Sequence, residues 1–119
     1  MKKILLVITL LLNFSVSVRA EGFMSAFEEI PLQDGFEEED ALSFDTEEFR
    51  IIEQYITSTV VEKDEFVKFY EETLKSLGWE LKKEHDNVYT FKREDEGLTI
   101  NIESEDPLVV LFSLKPYNR

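Results

Sequence analysis

Two arginines and two glutamates are the side chains of this sequence whose setting most invites a chemical reading. Arg50 and Glu53 lie inside the apolar, β-branched run Phe49-Arg50-Ile51-Ile52-Glu53-Gln54-Tyr55-Ile56, and Arg93 and Glu94 close a second one, Val88-Tyr89-Thr90-Phe91-Lys92. Charges set among apolar neighbours on a strand either pair across the sheet or face a partner. The structural expectation is a cross-strand ion pair of Arg50 or Arg93 with Glu53 or Glu94. The functional one is an arginine acting as a polar anchor in a groove, where its planar, permanently charged fork has an advantage over lysine. Arg50, Glu53, Arg93 and Glu94 are therefore the candidate partner-binding residues.

Other chemistries find less support. His85 is the single histidine and sits in the polar stretch Lys82-Lys83-Glu84-His85-Asp86-Asn87, which reads as an exposed hairpin tip. A Ser-His-Asp triad would need a buried orienting carboxylate and a serine on a sharp elbow, and no Gly-x-Ser-x-Gly is present. One histidine with no cysteine cannot build a zinc site. Glu37-Glu38-Glu39-Asp40 would attract a hard cation but lacks the alternating ligands and turn glycine of a calcium loop. We assign no catalytic, cofactor-binding or metal-ligating residue. An alternative to a binding role is a small hydrolase or ligand-binding protein using its carboxylates and Arg93, although about a hundred residues leave little room for a substrate cleft.

The N-terminus speaks to location. Lys2 and Lys3 precede an apolar run from Ile4 to Leu12, aliphatic but for Thr9, and Val18-Arg19-Ala20 supplies small or branched residues where a signal peptidase reads. Residues 1–20 are thus expected to be a secretory signal peptide. The exported form would start at Glu21 and act in the periplasm or outside the cell. Removing Lys2, Lys3 and Arg19 takes the formal charge from −13 to −16. So acidic a chain is repelled by phosphate backbones and anionic lipid heads, so neither nucleic acid nor, after cleavage, a membrane is the expected partner. A protein partner of basic character is. With no cysteine, disulfides, thiolate sites and a lipidated N-terminal Cys are excluded.

Composition divides what remains. Residues 21–48 hold eleven acids and no Lys or Arg, whereas residues 49–119 hold fifteen acids and ten basic residues. The first stretch reads as an acidic N-terminal extension and the second as an α+β domain. In the extension, Phe23, Phe27, Ile30, Leu32, Phe36, Leu42 and Phe44 are aperiodic, which suggests irregular chain pinning its aromatics to the domain with the carboxylates in water. A linear docking segment for a basic partner is the sharper alternative.

The domain reads as strand, helix, then four antiparallel strands, with the one helix packed on one face of a mainly antiparallel sheet. Phe49 to about Thr59 is strand-like. Phe66, Val67, Tyr70, Leu74 and Leu77 recur at three- and four-residue intervals and predict a helix over 62–77, with acids in its first turn and Gly78 at its end. Trp79–Lys83, Val88–Arg93, Leu98–Glu103 and Leu108–Leu114 follow as strands, separated by turns at 84–87, 94–97 and 104–107. Leu108–Leu114 is apolar on both faces, which predicts a central strand or one covered on both sides, the extension being the available cover.

Phe69-Tyr70, Thr73-Leu74 and Leu77-Gly78-Trp79 resemble the FY-x-x-TL-x-x-LGW signature of a group of uncharacterised small proteins, mostly alphaproteobacterial and many of them exported. Agreement extends through Ile30-Pro31-Leu32, Phe44-Asp45, Arg50-Ile51-Ile52-Glu53, Phe91-Lys92-Arg93-Glu94, Leu98, Ile100, Phe112 and Pro116, and departs at Phe49, where members of that group often carry Gly. The resemblance implies the fold and attaches no activity. Physically, Phe69, Tyr70, Leu74, Gly78 and Trp79 have the spacing of a helix-on-sheet corner, so their expected role is structural.

Overall fold

A computed structural model describes the backbone of residues 20–117, with side chains from Gly22 onward. The expected signal peptide therefore lies, apart from the backbone of Ala20, outside the described residues. The elements are β1 (Ala20–Phe23), β2 (Pro31–Gln33), β3 (Glu37–Asp45), β4 (Arg50–Ser58), α1 (Lys63–Ser76), β5 (Glu80–His85), β6 (Val88–Arg93), β7 (Glu96–Glu105) and β8 (Leu108–Pro116). β1 and β2 form a two-stranded sheet, and the other six strands form one sheet in the order β3-β4-β8-β7-β6-β5. Every pairing is antiparallel. The architecture is α+β, with one helix on one face of the large sheet.

Period-two burial explains the sheet. On β4, Ile52, Gln54, Ile56 and Ser58 are buried while Ile51, Glu53, Tyr55 and Thr57 are half-buried; on β8, Leu108, Val110, Phe112 and Leu114 alternate with Val109, Leu111 and Ser113 in the same way. Register sets Phe112 opposite Gln54 on one side and Ile100 on the other, so the core runs through the middle of the sheet. Phe66, Tyr70 and Leu74, one helical turn apart, bury the inner face of α1 against it. The Tyr70 and Phe66 rings lie 5.1 and 6.2 Å from Phe112.

Both helix ends are fixed locally. The Glu65 carboxylate accepts the Glu62 N–H at 3.2 Å, and at the other end Gly78 adopts φ +96°, with its N–H donating to the Lys75 carbonyl and that of Trp79 to the Leu74 carbonyl. A β-carbon at Gly78 would come only to 3.4 Å from Arg93 Cδ, an ordinary contact, so the penalty there is conformational. Gly78→Ala should cost about 1–2 kcal/mol, read as a lower denaturation midpoint at unchanged slope. The hairpin at Asp86-Asn87 has both residues at positive φ, the form that matches the twist of flanking strands.

The acidic extension departs from the sequence expectation in three ways. First, residues 37–45 form strand β3 at the sheet edge, giving six strands where the sequence suggested five. Gln54 helps explain this. It is fully buried opposite Ala41, and its Nε2 donates at 3.1 Å to the Glu39 carbonyl inside a bulge between Glu38 and Ala41. Second, Met24, Phe27, Ile30 and Phe36 are buried, but on the helix-bearing face: Phe27 packs 6.2 Å from Phe112 and Phe36 5.5 Å from Phe66. The extension therefore does not cover the second face of Leu108–Leu114. That strand is apolar on both sides because it is central, its outward side chains being flanked by β4 and β7. Third, Phe23, Leu42 and Phe44 are exposed instead of pinned.

Candidate functional site

Arg50 and Arg93 do come together, through a residue that strand reasoning missed. Both reach Glu29 in the extension: Arg93 Nη2 donates to its Oε2 at 2.8 Å and Arg50 Nη2 to the same oxygen at 3.3 Å. Arg50 also forms a two-point fork with Glu96, at 2.8 Å from Nε and 3.0 Å from Nη2. The expected partners are elsewhere. Glu53 lies on the opposite face of the sheet, since it alternates with the inward-facing Ile52 and Gln54, and Glu94 is exposed in a turn at φ +55°. Strand alternation would have flagged Glu96, two residues beyond Glu94. Nothing in the spacing flags Glu29.

Arg93 is a packing residue. Its Nη1 donates at 3.1 Å to the Leu77 carbonyl, satisfying one acceptor at the end of α1, and its guanidinium lies 4.4 Å from the centre of the Trp79 ring. The Leu77-Gly78-Trp79 corner is thus closed from the sheet by Arg93 and tied to the extension by Glu29. Burial alone would raise the Glu29 pKa, but the Arg93 hydrogen bond and the Arg50 charge outweigh it and hold the carboxyl below its ordinary value. A carboxylate with a lower pKa folded than unfolded adds stability above the unfolded value and loses it as pH falls through the folded one. Glu29 is about one-third exposed, so the effect is screened. Glu29→Gln should cost about 0.5–1 kcal/mol at neutral pH, and below the ordinary glutamate range the difference from wild type should vanish in urea titrations.

The other sheet face has no covering layer among the described residues. Leu42 and Phe44 on β3 are 61% and 55% exposed, and Phe49, whose ring is 6.3 Å from that of Phe44, is 39% exposed. By register Phe44 lies opposite the half-buried Ile51 and Leu42 opposite Glu53, with Tyr55 diagonal to Leu42, and Leu111 on β8 continues the row beyond Tyr55. Acids surround this strip: Glu37 and Glu53 face the same side, the Glu39 carboxylate accepts from the Thr57 hydroxyl at 3.3 Å, and that of Glu103 from the Tyr55 hydroxyl at 3.4 Å. β3 borders the sheet, so one side of its backbone is unpaired.

The remaining candidates are quiet. His85 is exposed beside Asp86, 3.0 Å away. Among the described residues no three His, Asp or Glu side chains converge to hold a metal ion, and no helix is long and apolar enough to cross a membrane. A cleft of about 350 Å³ lies between α1 and β5, but its Trp79 and Phe91 floor is almost fully buried. An open polar cleft of about 530 Å³ runs from Ser58 to Asp64 and past Glu105, and a recess of about 240 Å³ lies beside Arg50, Glu29 and Asp45. Arg93 lines none of these three. No family model, curated protein or solved structure matches the chain.

Proposed function

We propose that this protein is an exported binding or accessory domain that acts through protein contacts made on the uncovered face of its sheet. The observation that carries this reading is the cluster of Leu42, Phe44 and Phe49, held in water on a sheet whose opposite face carries the core through its central strands. A domain of this size can hide three large side chains, and leaving them out together on one rigid strip favours an interaction surface. Arg50 and Arg93 act within the fold in this reading, and Glu53 borders the binding strip.

Export rests on the Lys2-Lys3, Ile4–Leu12 and Val18-Arg19-Ala20 pattern, and kinship with the uncharacterised exported group rests on the Phe69–Trp79 signature. Cleavage after Ala20 would leave the Gly22–Leu32 and Phe23–Pro31 pairs of β1 and β2 intact. Intact mass of the processed protein should correspond to a chain starting at Glu21; a retained Met1 would refute cleavage after Ala20. For the binding role, a photo-crosslinking side chain is introduced at Phe44 or, as a control on the opposite side, at Phe69 in the producing cell. Discrete adducts from position 44, abolished by Leu42→Ser, support the reading. Adducts arising only from position 69 would overturn it.

A further inference from the structure

The free border of the sheet suggests how a partner would engage that face. We infer that β3 accepts an added antiparallel strand from a partner, and that the added segment is extended and rich in lysine or arginine. The inference rests on the binding role proposed above and goes further, by naming the mode and the chemistry of the occupant.

Three observations carry it. β3 is nine residues long, solvent-exposed along nearly its whole length and paired on one side only, so it offers backbone donors and acceptors for main-chain pairing. Its side chains toward the open face include Leu42 and Phe44, so a strand laid beside it would continue the apolar strip with its own alternate side chains. The charge is one-sided: Glu37, Glu38, Glu39, Asp40 and Asp45 lie on the strand, Glu47 and Glu48 follow it, and no basic residue occurs from 21 to 49. Glu38 is already engaged by the Ser25 hydroxyl and N–H, while Glu37, Glu39, Asp40 and Asp45 are exposed.

This charge selects the occupant. A second copy would bring the same acids, on a chain of formal charge −16 after processing, against β3, and the bulge between Glu38 and Ala41 interrupts flat pairing of like edges. A basic segment meets the acids as counter-charges, which speeds encounter and rejects acidic competitors. Both the acids and the apolar pair are then used by the same ligand.

The test uses the processed chain and two synthetic peptides of about nine residues, matched to the length of β3, that alternate lysine and valine. In the second peptide the amides on one edge are N-methylated, leaving charge and composition unchanged. Amide hydrogen exchange and titration at low and high salt are measured with each. Strand addition predicts new protection within residues 37–45 with the first peptide, affinity at least tenfold lower with the methylated copy, and tenfold weakening in the exposed-site variant Glu37→Lys/Asp40→Lys. Equal binding of both peptides with no new protection in β3 would show surface charge alone and overturn strand addition, while leaving the binding role of Leu42 and Phe44 to the crosslinking experiment. Concentration-dependent self-association that protects β3 without peptide would make the occupant a second copy and overturn the inference, and so would a failure of the unmethylated peptide to bind.

Discussion

A chain that starts at Glu37 should fail to fold, although it keeps all six strands of the large sheet and the helix. Residues 22–36 contribute Met24, Phe27, Ile30 and Phe36 to the core, each at most 7% exposed. Fully burying one such side chain is worth about 1.5–3 kcal/mol, so the four together are worth roughly 6–12 kcal/mol. A domain of this size has about 5–15 kcal/mol in total. The deletion also uncovers Phe66 and Phe112, removes the Ser25 anchor of Glu38 and leaves Arg50 and Arg93 without Glu29. Urea unfolding followed by tryptophan emission should therefore show no cooperative transition for the shortened chain, beside a sigmoidal one for the chain starting at Glu21. A transition at an unchanged midpoint would mean that residues 22–36 are not part of the core.

Tyr70 should be the most sensitive single position. Its ring touches Phe66, Phe69 and Phe112, with centroids 4.8–5.1 Å away, and its hydroxyl donates to the Pro31 carbonyl at 2.8 Å while accepting the Gln33 N–H at 2.9 Å. One side chain thus joins helix, sheet and extension. Tyr70→Ala removes the ring and should cost about 3–5 kcal/mol, as large aromatic truncations do. Tyr70→Phe keeps the ring and strands a donor and an acceptor on β2, at about 1–3 kcal/mol. The order Ala, then Phe, then wild type in urea midpoints is the expected result, and a Phe variant equal to wild type would show that the β2 hydrogen bonds are not formed. Burial raises the phenol pKa above its ordinary range, so alkaline titration should show one tyrosine that ionises only as the protein unfolds.

The parts of this structure that were legible in the sequence are those specified by neighbours along the chain. Helix α1 was readable from Phe66, Tyr70 and Leu74 and from Gly78, because periodicity and cap chemistry act within a few residues. The hairpins at Asp86-Asn87 and Glu94-Asp95 were readable for the same reason. Strand β3 was not. Glu37-Glu38-Glu39-Asp40-Ala41-Leu42-Ser43-Phe44-Asp45 has little intrinsic strand preference, and it pairs because β4 offers a free edge and Gln54 holds its bulge, both decided in three dimensions. The side of the sheet that Phe27 and Phe36 would cover was equally hidden, since apolar content shows that a segment is buried without showing against what. At the candidate site, the two arginines were recognised as a pair of interest while their shared partner was not: Glu29 is one of eleven acids in residues 21–48, and only the fold brings it between Arg50 and Arg93.

The acidic segment is thus both a wall of the core and the strand that leaves one border open, and amide hydrogen exchange on the processed chain, resolved by residue, tests that claim most directly. The Met24 N–H, bonded to the Ile30 carbonyl at 3.0 Å, and the Gln33 N–H, bonded to the Tyr70 hydroxyl, should exchange as slowly as the amides of β8, while within β3 the amides split into a protected set facing β4 and a rapidly exchanging set facing solvent. Rapid exchange throughout residues 22–45 would contradict it.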